Sequence, residues 1–466
     1  MEKKLGLGSV VSISVGLVIA TSCLVSLGQG AGTIGVVFIF AMIIACLLNM
    51  TTVASLSELN ALMPNTTGGL AQYTLVSIGP FPTLISMVGG YLICNTLSCG
   101  VEASIFSYAM AQTFTFPIPS VGYALIMSVI VMIANLYGID MFAKIQNLVA
   151  FLLVGSMVVM GIIGALGLGT GTQVDQPYYM ASNLSEIVPM TAVAFWLFIG
   201  AEYVIPVSKD VKNAKRNVPL GMIIGLILIC AMQSIMVFGF HNYTAWDDLA
   251  NSAAPHLLYG ENLLGSVGKT WMTLVAALAV ISTQNSTVNG LASICQGMAK
   301  MNMMPQVFAK TNKHNVPYVG VIFISVSIAI FAVLSDSSSD MISFLILVGS
   351  VFWMVSYILA HIDVLILRKR LPKAPRSFKS PMGIALQIIG IVGTVYMILN
   401  ISTDPTERMQ IWVLTGVTFL ILAIYAFFWI KYKMKRPVFK SIPLPEVMAM
   451  ENDLYYAIRK NRGIWR

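Results

Sequence analysis

Apolar runs of about 20 residues recur along the chain, separated by short polar connections. At 1.5 Å per residue a helix of that length crosses a ~30 Å hydrocarbon core, and it satisfies its own backbone groups where lipid offers none. The pattern predicts twelve spans, at about 9–30, 34–57, 81–112, 120–138, 145–168, 187–208, 218–240, 266–299, 317–335, 340–367, 383–401 and 410–430. Runs such as Leu220 to Phe240 do not alternate polar and apolar positions, which excludes a membrane β-barrel of ~10-residue alternating strands. Connections such as Gly79-Pro80-Phe81-Pro82 and Asp336 to Asp340 are short and carry turn formers, so no soluble domain is inserted. Met1 to Gly8 runs straight into the first apolar segment without an A-x-A site, so that segment is expected to be a retained span. The prediction is an all-α polytopic membrane protein, one membrane domain over 1–430 with a basic tail over 431–466.

Composition agrees. Of 466 residues, 57% are hydrophobic and 10% charged, against roughly 25% charged in a soluble domain; the mean hydropathy is +0.83. The net charge of +8 would by itself admit a nucleic-acid partner, but the positions of the bases argue against one. With the N-terminus inside and twelve crossings, all but Lys269 and Arg408 of the 27 Lys and Arg fall on the cytoplasmic side, Lys3, Lys4 and the tail from Lys431 included. The expected partner is the lipid bilayer of the plasma membrane, with both termini cytoplasmic. Outer loops are acidic instead: Asp175 and Glu186, Asp247, Asp248 and Glu261, Asp336 and Asp340, Asp404 and Glu407. The six cysteines lie in apolar stretches without a C-x-x-C pair, and the four histidines have no metal-ligand spacing, so neither metal nor cofactor is expected.

Two spans differ from the rest. Span 1 is interrupted at Ala20-Thr21-Ser22-Cys23 and span 6 at Phe198-Ile199-Gly200-Ala201-Glu202, each near mid-membrane and five spans apart. Two five-helix repeats, each opening with a broken helix, produce this pattern, and an odd number of spans turns the second repeat upside down. Small residues that let helices pack closely produce it equally well.

Several segments resemble the amino acid–polyamine–organocation transporter family. Glu58-Leu59, Pro64, Gly68-Gly69 and Tyr73 are similar to its signature after span 2; Asn135, Gly138 and Ala143-Lys144-Ile145-Gln146 to its span 4 to span 5 junction. The most specific match is Phe198 to Glu202 followed by Lys209-Asp210-Val211-Lys212-Asn213 and Lys215-Arg216-Asn217-Val218-Pro219. Leu367 to Pro372, with Pro375-Arg376-Ser377-Phe378-Lys379, resembles the loop after span 10. The resemblance implies a five-plus-five inverted-repeat, LeuT-like fold: repeat one over about 9–168, repeat two over about 187–367, and peripheral helices over about 383–430. It also implies alternating access for an amino acid or related amine, by exchange or by symport with H+ or Na+. The nearest pattern, through Phe195 to Glu202, is that of bacterial arginine–agmatine exchangers, a match of position and not of substrate.

The implied site lies at the two breaks. A zwitterion at mid-membrane needs donors for its carboxylate and acceptors for its ammonium, since either left unpaired costs several kcal/mol. The carboxylate is assigned to Ala20, Thr21 and Ser22, by match to the family's glycine-serine-glycine loop, and the ammonium to the carbonyls of Val18, Trp196 and Ile199, with Phe198 and Gly200 beside them. Both loop glycines are replaced here, by Ala20 and Ser22, which narrows the backbone's choices and adds bulk. Trp196 matches a family gate and pocket aromatic, able to stack on a cationic group.

Glu202 is the foremost coupling or gating candidate, because an acid at bilayer depth is functional by default; holding the unwound loop is its bland role. Glu102 in span 3 either faces an aqueous path and favours a basic substrate, or pairs with a polar helix neighbour. In the polar run Ser282 to Thr287, the hydroxyls of Ser282, Thr283, Ser286 and Thr287 are a candidate ion site by resemblance to sodium-coupled relatives, or interhelical hydrogen bonds. Proton-coupled relatives often carry a span 5 lysine there, where this chain is expected to place Leu152 and Leu153. Glu58 and Asp363 fall near cytoplasmic ends, as loop anchors or gates, and the tail, including Arg459, Lys460, Arg462 and Arg466, reads as a solubilising end or a contact for anionic lipid. The competing functions are a non-transporting sensor on the same fold and an ion channel. No paired aspartates or nucleophile with a base partner suggest an enzyme.

Overall fold

The computed structural model describes residues 5–64, 66–179, 184–335, 339–402 and 404–450. Lys3, Lys4, Asp336 and the basic residues beyond 450 lie outside the described residues. Among the described residues, eight helices are long and apolar enough to cross a membrane, and the bent pair Leu7–Val18 and Thr21–Ile34 makes a ninth. Three shorter apolar helices, Ser120–Leu136, Tyr318–Leu334 and Ala385–Leu399, fall where spans 4, 9 and 11 are expected, which is consistent with twelve spans.

The two interruptions are real breaks. Leu7–Val18 and Thr21–Ile34 meet at 64° across Ile19 and Ala20. Ala20 is extended, with φ −98° and ψ 165°, a conformation open to any residue, so the missing loop glycines cost no backbone strain. In span 6 the helix Leu184–Trp196 unwinds through Leu197 to Gly200 and continues as the tighter 3-10 segment Ala201–Asp210. Gly200 has φ 113°, which only glycine adopts freely, and a Cβ built there would lie 2.6 Å from Leu17 Cδ2. The break in span 6 thus rests against the end of the first half of span 1.

Burial separates the centre from the periphery. The apolar window of Pro189–Asp210 is 94% buried, whereas that of Pro405–Met434 is 22% buried, so span 6 runs through the bundle and span 12 faces lipid. Span 3, Pro80–Thr113, is continuous but carries a wide π-helical stretch at Ser86–Ile93, where Ser86 bonds Ser356 of span 10 at 2.9 Å. Span 8 begins after a kink at Leu264 and Gly265 inside Pro255–Lys300.

The end that carries the termini is tied together. Glu58, 1% exposed, accepts from Arg368 Nε and Nη2 at 2.9 and 2.6 Å, from Ser380 N at 2.9 Å, and lies 3.3 Å from Arg376 Nε. A planar fork on a planar carboxylate fixes direction as well as distance. Asp363 accepts from Thr74 at 2.6 Å and from Ser77. Leu5 N donates to Asp210 O at 2.8 Å. The tail up to Met450 is packed, not detached: Ile442 N donates to Leu75 O at 3.1 Å, Arg436 pairs with Glu446 at 2.7 Å, and Val447 and Met450 are buried.

Candidate functional site

A small central cavity, about 20 Å³, forms where the two breaks meet. That is room for about one water molecule, too little for a solute of amino-acid size in this conformation. Of the residues expected at the site, Val18, Ala20, Trp196, Ile199, Glu102, Thr283 and Thr287 line it. Thr21 and Ser22 lie behind its wall, while Phe198, Gly200, Glu202, Ser282 and Ser286 do not line it. The sequence reading missed Leu17, Cys23, Asn95, Ser98, Cys99 and Trp353. Asn95, Ser98, Cys99 and Glu102 follow a helical spacing of three, one and three, so a polar stripe on span 3 was there to be read.

The N-terminus of the outer half of span 1 already holds a carboxylate. Ser22 N donates to Glu102 Oε2 at 2.8 Å, and the hydroxyls of Thr21 and Ser22 donate to the same side chain. Trp196 Nε1 donates to Ser22 Oγ at 2.9 Å, which extends the chain of bonds to span 6. Glu102 is 1% exposed. Burying a carboxylate costs several kcal/mol, and three hydrogen bonds to a charged group, roughly 1.5–3 kcal/mol each, offset part of that cost. The donors expected to meet a substrate's carboxylate are therefore bonded to the protein's own.

Glu202 stands behind the cavity in an aromatic cage. It accepts from Trp353 Nε1 at 2.7 Å, Tyr357 OH at 2.8 Å and Tyr91 OH at 3.4 Å. Gly200 N donates to Tyr357 OH at 3.2 Å, so the cage also holds the unwound segment. Trp353 is the wall between the two: its ring lies 6.3 Å from that of Trp196, and 6.1 and 6.0 Å from those of Tyr91 and Tyr203.

Of the four hydroxyls of span 8, Thr283 and Thr287 line the cavity and Ser282 and Ser286 do not. Ser282 Oγ accepts from Gln146 Nε2 at 2.7 Å and Thr287 Oγ1 accepts from Cys99 Sγ at 3.2 Å, whereas Thr283 and Ser286 have no hydrogen-bond partner within the protein. Leu153 is buried, and span 5 meets span 1 through Asn147, which donates to Ser9 Oγ at 3.0 Å, and through Gln146. The Gln146 amide lies where a Cβ on Gly16 would fall and donates to Ser12 O at 3.3 Å, and Leu152 is 43% exposed. Asn285 completes the cluster, donating to Gln146 Oε1 at 3.1 Å and accepting from Asn135 Nδ2 at 2.9 Å. Among the described residues no group of three His, Cys, Asp or Glu is placed to hold a metal ion.

Two recesses flank the cavity. One of about 300 Å³, beside Gln29, Thr33, Met190 and Leu347, lies toward the end away from the termini. The other, about 640 Å³, lies at the termini-bearing end among Asp140, Val207, Lys209, Asn289, Gln296 and His314. Tyr203, buried and with its hydroxyl unpartnered, packs on Gly290, close along span 8 to Thr287 of the cavity and Asn289 of this recess.

The comparisons with known proteins agree with this architecture. The chain is 22% identical over 450 residues to the branched-chain amino acid permease BcaP of Bacillus subtilis, covering 91% of this chain and 93% of that one. It is 23% identical to the putrescine transporter PotE of Escherichia coli K12, covering 79% and 83%. A manganese transporter of Eremococcus coleocola aligns with a TM-score of 0.57 at 15% identity over 91% of this chain and 94% of that one. A sodium-coupled sialic acid symporter aligns with a TM-score of 0.53 at 11% identity, over 86% and 90%. These neighbours share the LeuT-like fold, with its five-plus-five inverted repeat, that the sequence implied. The sequence pattern described as "Amino acid permease" matches residues 5–429, and this chain belongs to that family of membrane transporters.

Proposed function

We propose that the protein moves an amino acid or a related amine across the plasma membrane by alternating access, with the solute held in the cavity between the breaks of spans 1 and 6. One observation carries this reading: Val18 and Ala20 from one break and Trp196 and Ile199 from the other line the same buried space. Half-helix ends meeting at mid-membrane supply both signs of partial charge where a polar solute must shed its water. The names of the relatives, a branched-chain amino acid permease and a putrescine transporter, support the substrate class. The recess at the termini-bearing end is the inner vestibule, with Tyr203 as the gate between it and the cavity, and the recess beside Gln29 leads outward. The distribution of Lys and Arg supports termini on the cytoplasmic side.

The bonds from Gln146 to Ser12 O and Ser282 Oγ favour a cycle without sodium at that location, because an amide donor occupies oxygens that a hard cation would need. The test is uptake of labelled solute by proteoliposomes. Saturable uptake that an excess of unlabelled solute suppresses supports the reading. Binding without uptake identifies a sensor, and flux that never saturates identifies a channel.

A further inference from the structure

We infer that the central site selects cationic amines that carry no carboxylate, with Glu102 standing where the carboxylate of an α-amino acid would otherwise bind. The inference rests on the transport reading above for the location of the site and goes beyond it in substrate class.

Three observations converge on a cation. The anion-binding end of Thr21–Ile34 is occupied: Ser22 N donates to Glu102 at 2.8 Å, and both hydroxyls of Thr21 and Ser22 donate to it as well. A helix N-terminus carries about half a positive charge, which offsets only part of an ionised carboxylate at Glu102. No Lys, Arg or His lines it among the described residues, and the next ionisable side chain behind Trp353 is another acid, Glu202. Finally, Thr283 Oγ1 is 95% buried with its residue, lines the cavity and has no partner, so its hydroxyl is free to accept an N–H of the ligand.

An amine satisfies this set. Its N–H groups donate to Glu102 and to Thr283 Oγ1, and the indole rings of Trp196 and Trp353 line the space around its charge. An α-amino acid does not. Its carboxylate would enter beside a like charge, find the donors of the helix end taken, and meet no base.

The experiment uses the purified full chain and matched pairs that differ by one carboxylate: agmatine and arginine, putrescine and ornithine, cadaverine and lysine, tyramine and tyrosine. Ligand-induced thermal stabilisation reads binding, and proteoliposome uptake reads transport. In at least one pair the amine is expected to act at a concentration at least about tenfold lower than its amino acid. Equal or better action of the amino acid in every pair, or no binding by any member, overturns the inference. Uptake confined to amino acids does so while leaving the transport reading intact; amine binding without uptake supports the inference and overturns the transport reading. Thr283→Val, which removes only this hydroxyl, is expected to weaken the amine about three- to tenfold, and an unchanged amine affinity in this variant counts against the site.

Discussion

The backbone N–H of Ser22 donates to the Glu102 carboxylate at 2.8 Å, so span 3 supplies the counter-ion to the helix end that opens the outer half of span 1. The two readings of Glu102 left open by its position, substrate selection and pairing with a helix neighbour, become one arrangement. The carboxylate bonds the neighbouring helix and lines the cavity at the same time.

Replacing Glu102 should therefore change specificity and not only affinity. Glu102→Ala releases Ser22 N–H and two hydroxyls into the cavity and removes its acid. Truncating one partner of a buried charged pair costs about 2–5 kcal/mol, so amine affinity should fall on the order of 30-fold or more while the matching amino acid binds better than to the unmodified protein. Competition binding checks both changes, and an unaltered amine affinity contradicts them.

Glu202 leads the candidates on sequence grounds, but the geometry supports the opposite order. Its oxygens accept from Trp353, Tyr357 and Tyr91, all donors, so Glu202→Gln turns one acceptor toward them as a donor. That change should lower stability by about 1–3 kcal/mol and leave amine affinity within about threefold, whereas Glu102→Gln should lower affinity more. Thermal unfolding and binding measured on the two variants decide which acid faces the solute.

The break in span 6 depends on one glycine. At φ 113° any side chain at position 200 is strained by about 1–3 kcal/mol, and a Cβ there would also press on Leu17. Gly200→Ala should reduce both stability and uptake. Adding Leu17→Ala removes the clash but not the backbone strain, so the double variant should recover part of the loss; full recovery would show that the strain is negligible.

The fold was legible because its signals are local and strong: apolar length, loop charge, and polar or small residues at Thr21 and Gly200 in otherwise apolar helices. The cavity was half legible. Val18, Ala20, Trp196 and Ile199 were placed by resemblance to the family's broken helices, but Trp353 is one aromatic among many and only its contact with Glu202 and Trp196 gives it a role. Gln146 was quoted for family likeness, yet the register of span 5, which turns Leu152 toward lipid and Gln146 toward Gly16, is a property of packing that no single-chain pattern specifies. The partnership of Glu102 with Ser22 is of the same kind, since 80 residues separate them.

Gln146 carries a prediction about coupling. Because its amide donates to Ser12 O and Ser282 Oγ, replacing sodium by choline or potassium should leave initial uptake unchanged. A sodium-dependent fall in KM would place a cation among these oxygens and displace the amide from them.

The central claim is that one buried site, open to each side in turn, carries the solute. Counterflow tests it most directly. Proteoliposomes are loaded with unlabelled amine, diluted into a trace of labelled amine without an ion gradient, and followed in time. The account predicts a transient overshoot of label above equilibrium, abolished when Trp196→Ala opens the wall shared with Ser22. Label that rises steadily to equilibrium without overshoot, or binds without entering, would contradict it.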